Sequence, residues 1–238
     1  MKRISSAITM FALLLFTSCS SPTDKTTTTD TVAAAIKDSL PVAVVKPVFK
    51  PFDVVEIRHT VKDYSKWKPA FDADSTARIN SGLGFMVIGK SQENPNSLLI
   101  VLSVANLQKA KDFGADPRLK DVMKKNGVIS KPEINYYHLI RFNPDSKEKQ
   151  WVTVTHKVKD FDAWLKVFDS EGTAKRAEYG LFDVVLARDI EDSNTVHIVF
   201  DIKDMAKAKA RITDPALKKL MIEGGVIGAP KIAFYKED

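Results

Sequence analysis

The stretch HTVKDYSKWKPAFD, residues 59–72, returns as HKVKDFDAWLKVFD at residues 156–169. The two copies share the pattern HxVKDxxxWxxxFD at an offset of 97 positions, which becomes 98 after one inserted residue. The correspondence continues beyond this phrase and covers 54–140 against 152–236. A match of this extent identifies a duplicated domain, so each copy is expected to fold in the same way.

Each copy predicts the same order of elements. Alternating apolar residues before His59 and His156 predict a strand, and Asp63 and Asp160 are placed to cap a helix whose aromatic residues recur at helical spacing. An antiparallel hairpin, a second helix restarted at Asp-Pro and ended by glycine, and a last strand follow. The order β-α-β-β-α-β predicts an α+β protein of two tandem ferredoxin-like units. Pro69 predicts a kink or break in the first helix, because proline removes a helical donor.

One ferredoxin-like unit covers a single face of its sheet with helices, so the other face must pack on something apolar. The repeated phrase, an arginine ahead of the second strand and a closing GVxxxPxI at 127–134 and 225–232 resemble the dimeric α/β-barrel superfamily. That superfamily includes antibiotic-biosynthesis-monooxygenase-like domains, and each copy is most similar to a small bacterial family within it. The resemblance implies two units packed sheet to sheet as an intrachain α/β barrel, in a monomer with pseudo-two-fold symmetry.

The first residues predict export. Lys2 and Arg3 precede an apolar run, which predicts a signal peptide over 1–18 that is too short for a permanent membrane span. Its end resembles the lipobox of bacterial lipoproteins, with Phe16 where that motif prefers Leu, Val or Ile, and the resemblance implies an acylated Cys19. Cys19 is the only cysteine, so an intrachain disulfide is excluded. A free thiol in an uncleaved segment is the alternative.

The chain divides after Cys19 into a tether and two folded repeats. Residues 19–51 lack a sustained apolar period and predict a flexible tether, followed by repeat 1 over 52–141 and repeat 2 over 151–238. We expect a lipid-anchored protein of the bacterial cell envelope, at the outer membrane on its periplasmic face or at the cell surface. The formal charge of +6 is spread without a basic block or an aromatic-basic stripe, so nucleic acid is not an expected partner.

His59 and His156 are the first candidate ligand-binding residues. If their strand face points inward, the two imidazoles approach the barrel axis, where a neutral ring can act as base or ligand. If the valines on the same face pack on the helices, both histidines are core residues. Two histidines with no cysteine beside them and no His-carboxylate spacing do not form a metal signature, so neither a metal nor a cofactor is expected.

Three further candidates have two interpretations each. Trp67 and Trp164 are hydrophobic anchors or ligand platforms, and the area that a buried tryptophan removes from water accounts for them through stability alone. His197 has Leu99 at the matching position of the first copy. It marks the half of the barrel that kept a function, or it lies at the surface.

Charged residues that follow the repeated phrase complete the candidate set. Asp72 and Asp169 end that phrase, and helical spacing can place them beside Arg78 and Arg176 at a cavity mouth, where the pair would fix a carboxylate or hydroxyl group of a ligand. The alternative is an exposed ion pair of small energy.

The sequence leaves three functions open and does not decide whether the protein is an enzyme. The first is a membrane-anchored module that binds a small organic ligand between the two sheets, without a recognisable catalytic apparatus. The second, which the resemblance implies, is a cofactor-independent monooxygenase-like enzyme acting on an aromatic or polyketide-like molecule. The third is an envelope interaction protein whose barrel is packed solid. An open or filled space between the sheets distinguishes them.

Overall fold

The computed structural model describes residues 49–238, in which the strands and helical regions follow the predicted order. The first repeat comprises β1 (Phe52–Thr60), α1 (Tyr64–Ala73), α2 (Ser75–Asn80), β2 (Leu83–Ser91), β3 (Ser97–Val104), α3 (Leu107–Ala115), α4 (Pro117–Lys125) and β4 (Glu133–Phe142). The second comprises β5 (Gln150–Val158), α5 (Phe161–Glu178), β6 (Leu181–Asp189), β7 (Thr195–Ile202), α6 (Met205–Ile212), α7 (Pro215–Glu223) and β8 (Val226–Glu237). The predicted signal peptide, Cys19 and almost all of the tether lie outside the described residues.

The eight strands form one closed barrel in the order β1-β3-β2-β8-β5-β7-β6-β4. Each repeat contributes four antiparallel strands in the ferredoxin-like order, β4-β1-β3-β2 and β8-β5-β7-β6. The outer strands then pair across the repeats, β2 with β8 and β4 with β6, so the two sheets are joined at both edges. The protein is therefore an α+β fold of two tandem ferredoxin-like repeats that form an intrachain α/β barrel.

Aspartates begin the helices of both repeats, as the sequence predicts. The carboxylate of Asp63 accepts a hydrogen bond from the amide two residues later at 2.9 Å, and that of Asp160 accepts one from the amide three residues later at 2.7 Å. Asp116 and Asp214 cap α4 and α7 in the same manner, ahead of the first-turn prolines. These caps fix where each helix starts and hence which side chains it turns toward the sheet.

The break in the first helix does not lie at Pro69, and that prediction is wrong. Helix α1 continues through Pro69, and the chain turns at Asp74 before α2 begins. The matching helix α5 contains no proline, yet it is interrupted at Gly172, where φ is +77°. Since the interruption recurs without a proline, it belongs to the fold. The single donor that Pro69 removes is outweighed by the packing of the helix on the sheet.

Apolar side chains form two kinds of core. In each repeat, one core lies between the helices and the outer face of the sheet, and smaller clusters lie inside the barrel. The alternation along β1 assigns its residues to these cores: Val55, Ile57 and His59 face the helices, whereas Val54 and Glu56 face the barrel interior. In β5, His156 likewise faces the helices. Of the two orientations that the sequence leaves open, the structure therefore has the one in which both histidines face the helices.

Candidate functional site

Each repeat contains a cavity between its helices and its sheet, at matching places. The first cavity, in repeat 1, has a volume of ≈ 100 Å³, and the second cavity, in repeat 2, one of ≈ 110 Å³. Both are lined by the histidine, tryptophan, phenylalanine and arginine of the repeated pattern: His59, Trp67, Phe71 and Arg78 in the first, and His156, Trp164, Phe168 and Arg176 in the second. Six of the nine sequence-predicted ligand-binding residues thus lie in two equivalent cavities outside the barrel.

The two histidines are buried, and their ring nitrogens make no hydrogen bonds to residues 49–238. His59 is 6% exposed and His156 is 5% exposed, and Nδ1 and Nε2 of both rings lack a partner. Buried polar atoms of this kind are uncommon in folded proteins. Burial lowers the pKa of each imidazole to about 4, because the charged form is poorly solvated. At neutral pH both rings are uncharged, with one donor and one acceptor nitrogen each.

Tryptophans form one wall of each cavity. The indole of Trp67 lies edge-on to His59 with ring centroids 5.5 Å apart, and Trp164 lies in the same way against His156 at 5.4 Å. Phe168 stacks on the other side of Trp164 at 5.1 Å. Both tryptophans are 4% exposed, so they anchor the helix to the sheet and at the same time line the cavity.

The arginines of the two cavities differ in how far their donors are occupied. Arg176 donates to both oxygens of Asp183, at 2.7 and 2.5 Å, and to the carbonyl of Phe168 at 2.9 Å. Arg78 donates within residues 49–238 only to the carbonyl of Phe71, at 2.7 Å, and has Asp74 at 3.7 Å. Burial lowers the pKa of Arg78, which nearby carboxylates offset only in part. Arg78 in the first cavity therefore has guanidinium N–H groups that donate to no residue of 49–238, whereas Arg176 in the second cavity donates to Asp183 and to the carbonyl of Phe168.

Asp72 and Asp169 do not form the predicted pairs with these arginines. Asp72 is exposed and bonds Lys68 at 2.7 Å, one helical turn earlier. Asp169 forms a two-pronged ion pair with Arg141 of β4, at 2.6 and 2.8 Å, which ties repeat 2 to repeat 1. Each aspartate lies near its arginine and shifts or shares its charge environment, but neither forms a direct ion pair with it.

The carboxylates that do approach the arginines lie two residues further along. Asp74 is 3.7 Å from Arg78, and Glu171 is 3.6 Å from Arg176. Glu171 also bonds Arg211 at 2.6 Å, and Arg211 lines the second cavity. Sequence reasoning missed Arg211, although its matching residue in repeat 1 is a phenylalanine, and such a change from apolar to charged is a visible signal.

His197 is the one predicted residue that faces the barrel interior. It is 1% exposed, and its Nε2 lies 2.9 Å from Oε1 of Glu56, while its Nδ1 is 2.8 Å from the hydroxyl of Thr155. Tyr137 stacks on the ring at a centroid distance of 4.4 Å. The surface interpretation of His197 is therefore wrong, and the residue joins strands of the two repeats.

Solved structures share this fold. An anthrone oxidase-like protein superposes with a TM-score of 0.53 at 11% identity, covering 79% of this chain and 91% of that one. A candidate monooxygenase from Lactobacillus acidophilus gives 0.51 at 14% identity over 78% and 94%. A candidate chlorite dismutase gives 0.50 at 14% identity over 79% and 94%.

These likenesses concern the fold. The three neighbours show that this chain shares its fold with other proteins. No protein-family profile matches the sequence, and no curated protein does so either. At identities of 11% to 14%, the shared fold does not by itself assign an activity.

Neither a metal-ligating cluster nor a membrane-spanning helix occurs among the described residues. Across 49–238, no three or more His, Cys, Asp or Glu side chains gather in a way that could hold a metal ion. Among the helices of the same range, none is both long and apolar enough to cross a membrane.

Proposed function

We propose that this protein binds a small, largely apolar organic molecule in the cavities between helices and sheet. The observation that carries the proposal is the pair of buried histidines, His59 and His156, whose ring nitrogens lack partners where they line a cavity. A bound hydroxyl or carbonyl group would satisfy one nitrogen of each ring, while the aromatic wall covers the apolar part. Cavities of this volume accommodate about one small ring.

The low basicity of the histidines favours binding over proton transfer. A general base works best when its pKa lies near the working pH, and the pKa of both rings is about 4. An imidazole of this kind is a weak base at neutral pH but a competent hydrogen-bonding group. We therefore place this ligand between the helices and the outer faces of the sheets, and not between the two sheets as the sequence analysis expected.

The two cavities are expected to prefer different end groups. Arg78 keeps unused donors, so the first cavity suits a ligand that ends in a carboxylate. Arg176 is neutralised by Asp183, so the second cavity suits an uncharged ligand with a single hydroxyl or carbonyl group. Benzoate and phenol represent these two classes.

Toluene and phenol test the proposal, because they share a ring and differ by one hydroxyl group. Calorimetry should show that phenol binds about tenfold more tightly than toluene, since the hydroxyl pairs with a buried imidazole. The double variant His59→Leu/His156→Leu should lose this preference and still bind toluene. If the folded double variant kept the preference for phenol, the histidines would not be the binding groups and the proposal would fail.

A monooxygenase-like activity is the second candidate, and the likeness to an anthrone oxidase-like protein supports it. In that case the substrate would be an aromatic or polyketide-like molecule, larger than one outer cavity holds, that reacts with dioxygen without a cofactor. Oxygen uptake in the presence of anthrone tests this candidate. Uptake no faster than without protein, under conditions where anthrone binds, would leave binding as the function.

We also propose that the protein is a lipoprotein of the bacterial envelope, held at the outer membrane through acylated Cys19. The support is the sequence alone, namely the short apolar run with two preceding basic residues and the single cysteine that follows it. In this proposal a monomer presents its two repeats to small molecules in the periplasm or outside the cell.

A further inference from the structure

A cavity of ≈ 290 Å³ lies inside the barrel, separate from the two cavities of the proposed function. Its walls are mainly apolar and come from both repeats, including Val54, Leu99 and Val101. The segment between the repeats, from Asn143 to Glu148, borders one end. We call this space the barrel cavity. It is larger than either outer cavity and can enclose a small molecule with an apolar body.

Asp201 of β7 is a buried carboxylate on the wall of the barrel cavity. It is 6% exposed and accepts hydrogen bonds from the hydroxyl of Ser146 and from the backbone amide of Glu148. Burial raises the pKa of Asp201, and the two hydrogen bonds offset this rise only in part. No cationic side chain of residues 49–238 lies within 4.0 Å of its oxygens.

The other charged groups of the interior are already matched. Glu56 is held by Arg58 at 2.5 Å and by His197 at 2.9 Å. Arg58 also donates to the hydroxyl of Tyr235 at 3.3 Å. Lys147, Glu148 and Glu237 border the cavity but are exposed, and Lys147 forms no ion pair with Asp201. Asp201 is therefore the one buried carboxylate of this cavity without a charged partner among residues 49–238, and a buried charge is stable only with a partner of opposite sign.

An aromatic ring stands beside this carboxylate. Trp151 of β5 is the direct cross-strand neighbour of Asp201, is 8% exposed and also lines the barrel cavity. Side chains that are opposite on antiparallel strands lie about 5 Å apart at Cβ. A cation placed at Asp201 is thus within reach of the indole face, which attracts positive charge.

The two repeats differ at these positions. Ser103 takes the place of Asp201 in repeat 1, and Val54 takes the place of Trp151. The outer cavities keep the same histidine, tryptophan and arginine in both repeats, whereas in the barrel interior the unpaired acid and the indole both come from repeat 2. One buried carboxylate without a charged partner, in a mostly apolar cavity, fits one ligand with one cationic group.

We propose that the barrel cavity binds a small primary amine, with its ammonium group on Asp201 and against Trp151 and its hydrocarbon part among the valine and leucine side chains. The ammonium group would neutralise the carboxylate and donate to it, while the hydroxyl of Ser146 keeps the carboxylate in place. This function goes beyond the proposed binding of uncharged or acidic molecules in the outer cavities.

Benzylamine tests the proposal against two matched probes, the uncharged benzyl alcohol and the anionic benzoate. Calorimetry of the full chain at pH 7 should show that benzylamine binds at least about tenfold more tightly than benzyl alcohol. The variant Asp201→Ser copies the residue of repeat 1. It should weaken benzylamine at least about tenfold and leave benzyl alcohol unchanged. Asp201→Asn, which keeps the shape of the side chain, should give the same loss.

Two results would overturn the proposal. Benzylamine would not bind at all, or both folded variants would bind benzylamine as the wild type does. Circular dichroism and urea unfolding identify the variants that fold, and Asp201→Asn decides the question if Asp201→Ser does not. Phenol binding in the outer cavities is measured separately, so failure of one proposal leaves the other open.

Discussion

The imidazole of His156 lies edge-on to the indole of Trp164, with ring centroids 5.4 Å apart and planes at 63°. His59 and Trp67 repeat this geometry at 5.5 Å and 70°. In both cases the tryptophan comes from the first turns of the helix and packs against the histidine ring, whose nitrogens have no partner among residues 49–238. The pair therefore holds the ring uncharged and sets one wall of the cavity.

Replacing His156 by leucine should flatten the dependence of stability on pH. The pKa of the ring is about 4 in the folded protein against 6.5 for an ordinary histidine, so the unfolded state binds more protons between these values and stability falls as the pH falls. Between pH 7 and pH 5 the loss is about 2 kcal/mol for each such histidine. Urea unfolding at pH 7 and at pH 5 measures this effect. Between these pH values the free energy of unfolding should change by about 2 kcal/mol less in His156→Leu than in the wild type.

The same argument applies to His59, and the two histidines are controls for each other. They lie in different repeats, so their contributions should add, and His59→Leu/His156→Leu should lose about twice the dependence of either single variant. A wild-type protein equally stable at pH 5 and pH 7 would show that the rings are solvated when folded.

The Arg176–Asp183 ion pair predicts an asymmetry between the repeats. Phe85 occupies the place of Asp183 in repeat 1. Asp183→Phe leaves a guanidinium that is 4% exposed without its main partner, so the free energy of unfolding should fall by about 1–3 kcal/mol. Phe85→Asp offers Arg78 a partner at an exposed position and should change stability by less than about 1 kcal/mol.

The double variant Arg176→Met/Asp183→Phe tests whether the stability lost in Asp183→Phe comes from the unpaired charge of Arg176. Removal of both partners leaves no buried charge, so most of the stability lost in Asp183→Phe should return. Urea unfolding measures all four proteins. If Asp183→Phe were as stable as the wild type, the ion pair between Arg176 and Asp183 would contribute nothing to the free energy of unfolding.

Cys19→Ala tests the proposed membrane anchor. Acyl chains on Cys19 bind a membrane because each buried methylene group contributes about 0.8 kcal/mol, and the variant lacks the attachment site. The wild type should sediment with outer membranes, and Cys19→Ala should not be lipid-modified and should leave that fraction. Mass spectrometry of the mature amino terminus provides the second readout. An unmodified Cys19 in the wild type would contradict the proposal.

The order of elements could be predicted because it depends on local patterns, and the tandem barrel because the duplication and the resemblance to the dimeric α/β-barrel superfamily imply it. The caps at Asp63 and Asp160 and the alternation along β1 and β5 are visible in any single stretch. The partners of the arginines could not be predicted, because the break at Gly172 and the approach of β6 decide them. In repeat 2 the partner of Arg176 is Asp183, and the matching residue in repeat 1 is Phe85.

Differences between the repeats were the signal that sequence reasoning used too little. Arg211, Asp201 and Glu56 each correspond to an uncharged residue in the other repeat. In the structure Arg211 and Glu56 form ion pairs, whereas Asp201 is a buried carboxylate without a cationic partner among residues 49–238. A duplicated domain keeps what both halves need for folding. Charged residues that are present in only one repeat therefore mark the places where the two repeats act differently. Their contacts are visible only in the three-dimensional structure.

His197→Leu tests the link between the repeats, since repeat 1 has Leu99 at the matching position. Burial by itself raises the pKa of Glu56, but His197 and Arg58 outweigh this effect, so the pKa lies below its usual 4.5. The resulting stabilisation is present above pH 4.5 and is lost as the pH falls through the lower folded value. At pH 7 the variant should lose about 1–3 kcal/mol of unfolding free energy.

The difference between His197→Leu and the wild type should narrow as the pH falls below 4.5, because protonation of Glu56 removes the charge that His197 stabilises. His59 and His156 titrate in both proteins, so their contribution cancels in the comparison. In a Glu56→Gln background the cost of His197→Leu should be smaller at pH 7, and a double-mutant cycle measures that coupling. A coupling of zero would mean that the 2.9 Å contact between His197 and Glu56 contributes no free energy to joining the repeats.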